Sequence, residues 1–332
     1  MKKEPLLIAF ASQKGGVGKS AFTVLVASIL HYQKGLKVGV VDCDSPQHSI
    51  SRMRDRDIES VQESDFLKVV LYRQHEQIRK RSYPVIKSNP EKAIEDLYRY
   101  IEEQDAVFDV VLFDLPGTLR SEGVVHTISA IDYIFIPLKA DNVVMQSSLQ
   151  FAEVVEEELI ARHNCNLKGI YLFWNMVDKR ERTESYESWN RVIQKAELHL
   201  LESRIPDTKR YNKELSSLKN SIFRSTLFPP DNRQIKGSGL CELIEELCAV
   251  THLDASHTYN KGIMDSGKRN LTLGALMRRP YWILSPGKGR YDRTPLQRVY
   301  PLSRRIRQRR LPGVAKLRSL PPGKSTLTGH PS

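Results

Sequence analysis

Apolar residues in the first 252 positions follow two alternating patterns. One is a short continuous run, at 6–11, 37–41, 107–113, 133–137 and 169–173. The other is a stripe at helical spacing. Phe22, Leu25, Val26, Ile29 and Leu30 fall on one helical face and stop at Gly35, which predicts an amphipathic helix closed by a glycine. Ile94, Leu97, Tyr98 and Ile101 make a second stripe. Asn89-Pro90-Glu91 precedes it, offering a capping residue, a first-turn proline and a first-turn acid. Leu240, Leu243, Ile244, Leu247 and Cys248 make a closing stripe, and the run 66–71 reads as a further strand. Strands apolar throughout are buried on both faces, and interleaving them with helices makes them parallel. The expected fold is α/β: a three-layer, doubly wound, mostly parallel sheet.

Composition changes this picture in one place. A chain of 332 residues, 40% hydrophobic and 27% charged, is ordinary for a soluble globular protein with a sizeable core. No apolar run approaches the roughly 20 residues that span a bilayer, so no membrane span is expected. The start, charged then apolar then small, resembles a leader. Its apolar part is too short, and it reads as a buried first strand. Four cysteines without CxxC spacing point to a reduced, cytoplasmic chain. The net charge of +12 is concentrated at one end. From Asp265 onward there are sixteen Lys/Arg against two Asp, leaving 35 basic and 37 acidic residues in 1–264. Pro, Gly and Arg dominate there and periodicity is lost, so the expected division is a domain at 1–252 and a disordered linker and basic tail at 253–332. Within the tail, Pro-Pro-Gly323-Lys324-Ser325-Thr326 mimics a phosphate loop but lacks the preceding strand and following helix.

The chemistry begins at Ser12-Gln-Lys-Gly-Gly-Val-Gly-Lys-Ser20. A strand, a glycine loop, Lys-Ser and a helix make a nucleotide-phosphate site. The glycines turn backbone N–H groups inward, and the helix N-terminus adds its positive end. Lys19 would reach the β- and γ-phosphates, and the Ser20 hydroxyl would ligate Mg²⁺. Open α/β sheets place ligands at strand ends, and two carboxylate segments lie there. Asp114 closes an apolar run and can hold Mg²⁺ through a water, with Leu115-Pro-Gly117 as a turn able to sense the γ-phosphate. In Asp42-Cys-Asp44-Ser-Pro-Gln47, one Asp can orient the attacking water. At a further strand end, Asn175 could hydrogen-bond adenine. The common phosphate loop carries Gly where this chain has Gln13, and it has no counterpart of Lys14.

Those residues resemble the ParA/MinD-type ATPases with a deviant Walker A loop, a P-loop NTPase group. Lys14-Gly-Gly-Val-Gly-Lys-Ser20 matches that loop throughout, and the similarity extends over about residues 4–250. The chain also resembles the TraA-like ATPases of conjugative transposons. The resemblance implies ATP rather than GTP, bound by Lys14, Gly15, Gly16, Val17, Gly18, Lys19, Ser20, Ala21 and Asn175. It implies Mg²⁺ on Ser20 and Asp114, and Lys14, Lys19 and Asp44 as catalytic residues. Lys14 would reach across a dimer interface to the partner's phosphates. Such ATPases follow their second strand with Asp-x-Asp-Pro-Gln; this chain has one residue more, which leaves Asp44 as the water-positioning acid. The segment Ser221-Ile-Phe-Arg-Ser-Thr-Leu-Phe-Pro-Pro230 is similar to the one that closes over the base.

The same resemblance implies a homodimer when ATP is bound and an activating partner protein. ParA-like members bind DNA nonspecifically, whereas MinD-like members bind membrane through an amphipathic helix. Ser303-Arg-Arg-Ile-Arg-Gln-Arg-Arg310 would attract phosphates, but it lacks an apolar stripe and Pro312 follows. The tail's abrupt change of composition also fits a readthrough or frame-shifted end. The basic runs 72–81 and 179–182 are further candidate DNA-facing surfaces. The alternatives on this scaffold are a ligase or metal carrier, or a MinD-like membrane positioning ATPase; carriers use a CxxC pair, which is absent here.

Overall fold

The structure is a computed structural model, describing residues 4–117, 122–155, 165–178, 180, 183–216 and 221–254. The tail beyond 254, its basic cluster and most of the 179–182 run lie outside the described residues. The strands β1 (Leu6–Phe10), β2 (Val38–Asp42), β3 (Val85–Lys87), β4 (Val110–Asp114), β5 (Tyr133–Leu138), β6 (Gly169–Val177) and β7 (His199–Pro206) form one sheet. Its order is β3-β2-β4-β1-β5-β6-β7, and every pairing is parallel. The chain leaves β1 toward β2 on one side and crosses from β4 to β5 on the other. A crevice therefore opens at the carboxyl ends of the central strands.

Side-chain alternation splits the core in two. Leu7 and Ala9 pack on one face with Val111, Phe113, Ile134 and Ile136. Helices α4 (Ala93–Glu103), α5 (Glu122–Ala130), α6 (Asn142–Val155) and α7 (Thr183–Lys195) cover that face. Ile8 and Phe10 face the opposite core with Val40 and Leu112. There they meet α1 (Lys19–Ser28), which runs on as a π-helical turn over Ile29–Gln33, together with α2 (Ser49–Glu63) and the closing helix α9 (Leu240–Thr251). A short helix, α8 (Asn232–Ile235), precedes the last. The doubly wound, three-layer expectation holds.

The run 66–71 is not a strand. It lies in helix α3 (Asp65–Ile78), where Leu67, Val70, Leu71, Gln74 and Ile78 are buried. A six-residue run, apolar but for Lys68, cannot by itself distinguish a strand from a buried helix face. The deciding signal was Ser64, whose hydroxyl accepts from the Leu67 N–H as an N-cap. Helix α4 begins at Ala93, later than Asn89-Pro90-Glu91 suggested. The Asn89 side chain instead caps a preceding turn, accepting from the Lys92 N–H at 3.0 Å. Strands β3 and β7 escape a search for continuous apolar runs because they are the sheet edges. β7 alternates between buried Leu201, Ser203 and Ile205 and exposed Glu202 and Arg204.

The segment 221–230 is a largely buried strap. Arg54 on α2 donates to the Thr226 hydroxyl and carbonyl, and Asp57 accepts from the Ser225 hydroxyl and from the Thr226 N–H and hydroxyl. Ser28 and Tyr32 donate to the Ser225 and Thr226 carbonyls, and Gln74 donates to the Leu227 carbonyl. The segment is thus bound to α1, α2 and α3 at once. Burial pushes the Asp57 carboxyl up to about 6, although the Thr226 and Ser225 hydrogen bonds and Arg54 pull it back. A raised folded-state pKa favours the protonated form, so the stability this group supplies is complete below about pH 4 and lost as pH rises through 6. Between pH 4 and 7 the wild type should lose up to ~3 kcal/mol relative to Asp57→Asn. Denaturant titrations of both chains across that range check this, and a constant difference contradicts it.

Candidate active site

Sheet register brings the site together. Phe10 pairs with Asp114, and Asp114 pairs with Asp42, so three strand ends lie in one row and the glycine loop emerges beside two carboxylates. In that loop, the buried Ser12 hydroxyl accepts from the Lys14 N–H at 3.2 Å. Gly16 and Gly18 take left-handed backbones, with φ 77° and 90°. At Gly18 a β-carbon would also lie 3.2 Å from the Phe22 ring. Helix α1 then starts at Lys19, with its first bond from the Phe22 N–H to the Gly18 carbonyl at 2.9 Å. Its leading N–H groups, those of Lys19, Ser20 and Ala21, face no earlier turn and suit an anion. Behind the loop, Asn175 on β6 is buried and donates its amide to the Val17 carbonyl at 2.9 Å. Its side chain ties the loop to the strand.

The two lysines differ. Lys19 folds over the loop, its ammonium donating to the Lys14 carbonyl at 3.3 Å. Burial lowers its pKa, against the pull of Asp114 and Asp44. A β-carbon on Gly117 would lie 3.5 Å from the Lys19 Nζ, so the Leu115-Pro-Gly117 turn lies against the Lys19 ammonium. Lys14 is exposed, and among the described residues nothing bonds its ammonium.

Asp114 is wholly buried, and among the described residues neither carboxylate oxygen has a hydrogen-bond partner. Burial raises its pKa to about 7; Asp42 and Asp44 add to the rise, while the Ser20 hydroxyl and Lys19 oppose it. An orphaned carboxylate beside a hydroxyl, with further acids nearby, is a hard-oxygen set that fits hydrated Mg²⁺. Asp44 is half-buried in the following turn, and its carbonyl accepts from the His48 N–H at 2.7 Å.

Two features had no signal in the sequence pattern. Asp42 caps α2, accepting from the Ser51 N–H at 2.8 Å, and Ser49 donates its hydroxyl to the Ser20 hydroxyl at 3.4 Å. The end of β7 also joins the site's flank, with the Asp207 N–H donating to the Val177 carbonyl at 3.0 Å.

Residues 6–222 match the family described as ATPase MipZ. The chain belongs to the MipZ ATPase family. That match spans the glycine loop, Asp44, Asp114 and Asn175 of this MipZ-family chain. No curated protein matches it. Similar solved structures include a putative plasmid partition protein from Borrelia burgdorferi B31 bound to AMPPNP, at 20% identity, covering 74% of this chain and 100% of that one, with TM-score 0.47. The MinD cell division protein of Aquifex aeolicus is similar at 13% identity, covering 75% and 97%, with TM-score 0.45. A ParA family ATPase from Chlorobium tepidum TLS is similar at 16% identity, covering 76% and 98%, with TM-score 0.45. Among the described residues no helix is long and apolar enough to cross a membrane.

Proposed function

We propose that the chain is an ATP-driven dimerising switch of the ParA type, hydrolysing ATP slowly with Mg²⁺ and acting on DNA in partition or conjugative transfer. The observation that carries this reading is the contrast between its two loop lysines. Lys19 is folded onto its own loop, where it serves the phosphates of its own subunit. Lys14 is exposed and unengaged, available to the phosphates of a second copy. Each subunit completes its neighbour's pocket, so hydrolysis follows dimerisation.

Other residues take their roles around that exchange. Ser20 and Asp114 would hold Mg²⁺, which when bound offsets charge on the β- and γ-phosphates. Asp44 orients the attacking water. Val17, Gly15, Gly16, Gly18 and Ala21 present backbone to the phosphates. Asn175, whose amide nitrogen is taken by Val17, would meet the adenine amino group through its oxygen. Residues 1–252 form the ATPase domain. The basic tail strengthens DNA attachment through phosphate contacts that weaken with salt. An activating partner protein sets the timing of hydrolysis.

The test is sedimentation with and without AMPPNP, followed by DNA retention at two salt concentrations, for the full chain and for one ending at 264. The analogue should convert monomer to dimer in both chains. DNA retention should require the analogue in both and be stronger with the tail present. A monomer that holds the analogue, or retention indifferent to nucleotide, contradicts the reading.

A further inference from the structure

We infer that His48, held by Asp42, is the residue that positions Asp44 in the turn after β2. The inference rests on the hydrolytic role proposed above for Asp44. Three observations carry it. The turn is one residue longer than the Asp-x-Asp-Pro-Gln pattern it resembles, so Asp44 needs an anchor that a shorter turn does not. The backbone supplies half of one, since the His48 N–H closes the turn onto the Asp44 carbonyl at 2.7 Å while His48 adopts a left-handed φ of 42°. The ring supplies the other half. His48 Nδ1 lies 3.9 Å from Asp42 Oδ1, and among the described residues both buried atoms lack a hydrogen-bond partner.

A buried donor and a buried acceptor left unpaired are costly, and native proteins rarely leave them so. Each lies within reach of the other. Closing the gap by less than 1 Å makes the bond, with the proton on Nδ1. The other Asp42 oxygen is already fixed, as it caps α2 at Ser51. Asp42 therefore binds the start of α2 with one oxygen and the His48 ring with the other. The turn carrying Asp44 is clamped between them, next to the Ser49–Ser20 contact that joins it to the glycine loop. His48 touches no reacting atom. It acts through Asp44.

Four chains test this: wild type, His48→Gly, His48→Asn and His48→Ala. Glycine keeps the left-handed backbone but removes the ring. Asparagine tolerates that backbone and places an amide donor near the Nδ1 position. Alanine loses both features. ATP affinity by calorimetry, thermal midpoint and single-turnover phosphate release are measured for each. Misplacing a reacting group by about 1 Å can cost ~10²-fold. His48→Gly and His48→Ala should therefore lose about 10–100-fold in phosphate release while keeping ATP affinity, and His48→Asn should recover most of the loss. Release by His48→Gly equal to the wild type would show the ring to be dispensable and overturn the inference. A loss of ATP affinity or thermal midpoint in step with rate would reduce His48 to a structural part and overturn it too. If the wild type hydrolyses no ATP, the proposed function fails instead, and the two failures are distinct.

Discussion

Replacing Lys14 by alanine should leave ATP bound while removing nucleotide-driven dimerisation and nearly all hydrolysis. The side chain is exposed and unengaged within its own subunit, so its loss leaves the fold and the resident phosphates undisturbed. In the proposed dimer its contribution would arise only when a second copy docks. A cation supplied in trans to a phosphoryl-transfer site contributes about 10³–10⁵ in rate, and that is the expected loss. Mixing makes the test decisive. A heterodimer of Lys14→Ala with Asp44→Ala contains one composite site with both residues intact, so the mixture should recover activity that neither variant has alone. Sedimentation of Lys14→Ala as an ATP-bound dimer, or failure of the mixture to recover, contradicts a role in trans.

Replacing Lys19 by alanine should act earlier, on binding itself. Hydrogen bonds to charged groups contribute about 1.5–3 kcal/mol each. Losing one from the phosphate cradle weakens ATP by roughly 10–150-fold. The apo protein should not suffer. Its ammonium is partly desolvated, with a lowered pKa, so removing it relieves a cost in the empty site. Calorimetry with ATP and thermal melts without it separate the effects. Unchanged affinity would refute the assignment of the loop.

What the sequence revealed, and what it hid, follows from where each element sits. The central strands were legible because burial on both faces forces apolar residues at every position, as in Val110 to Phe113. The glycine loop was legible because left-handed turns at Gly16 and Gly18 restrict residue choice. Edge strands were not, since exposed Glu202 and Arg204 on β7 break the run. Helix α3 was misread because five apolar residues among the six of 66–71 fit either element. His48 was hidden for a different reason. Its importance lies in a left-handed backbone and a cross-turn contact to Asp42, and neither leaves a pattern in a single sequence. The strap was noticed as a segment but its anchorage was not legible, because its partners Arg54 and Asp57 lie about 170 positions upstream.

That separation has a consequence for synthesis. Arg54 and Asp57 leave the ribosome long before Thr226 exists to satisfy them, and at ~5–20 residues per second the wait is roughly 10–35 s. During it, Val61 of α2 and Leu67, Val70 and Leu71 of α3 lack the strap residues Ile222, Leu227 and Phe228 that pack on them. A nascent chain halted before Leu227 should therefore be a substrate for chaperones and proteases rather than a working half-enzyme.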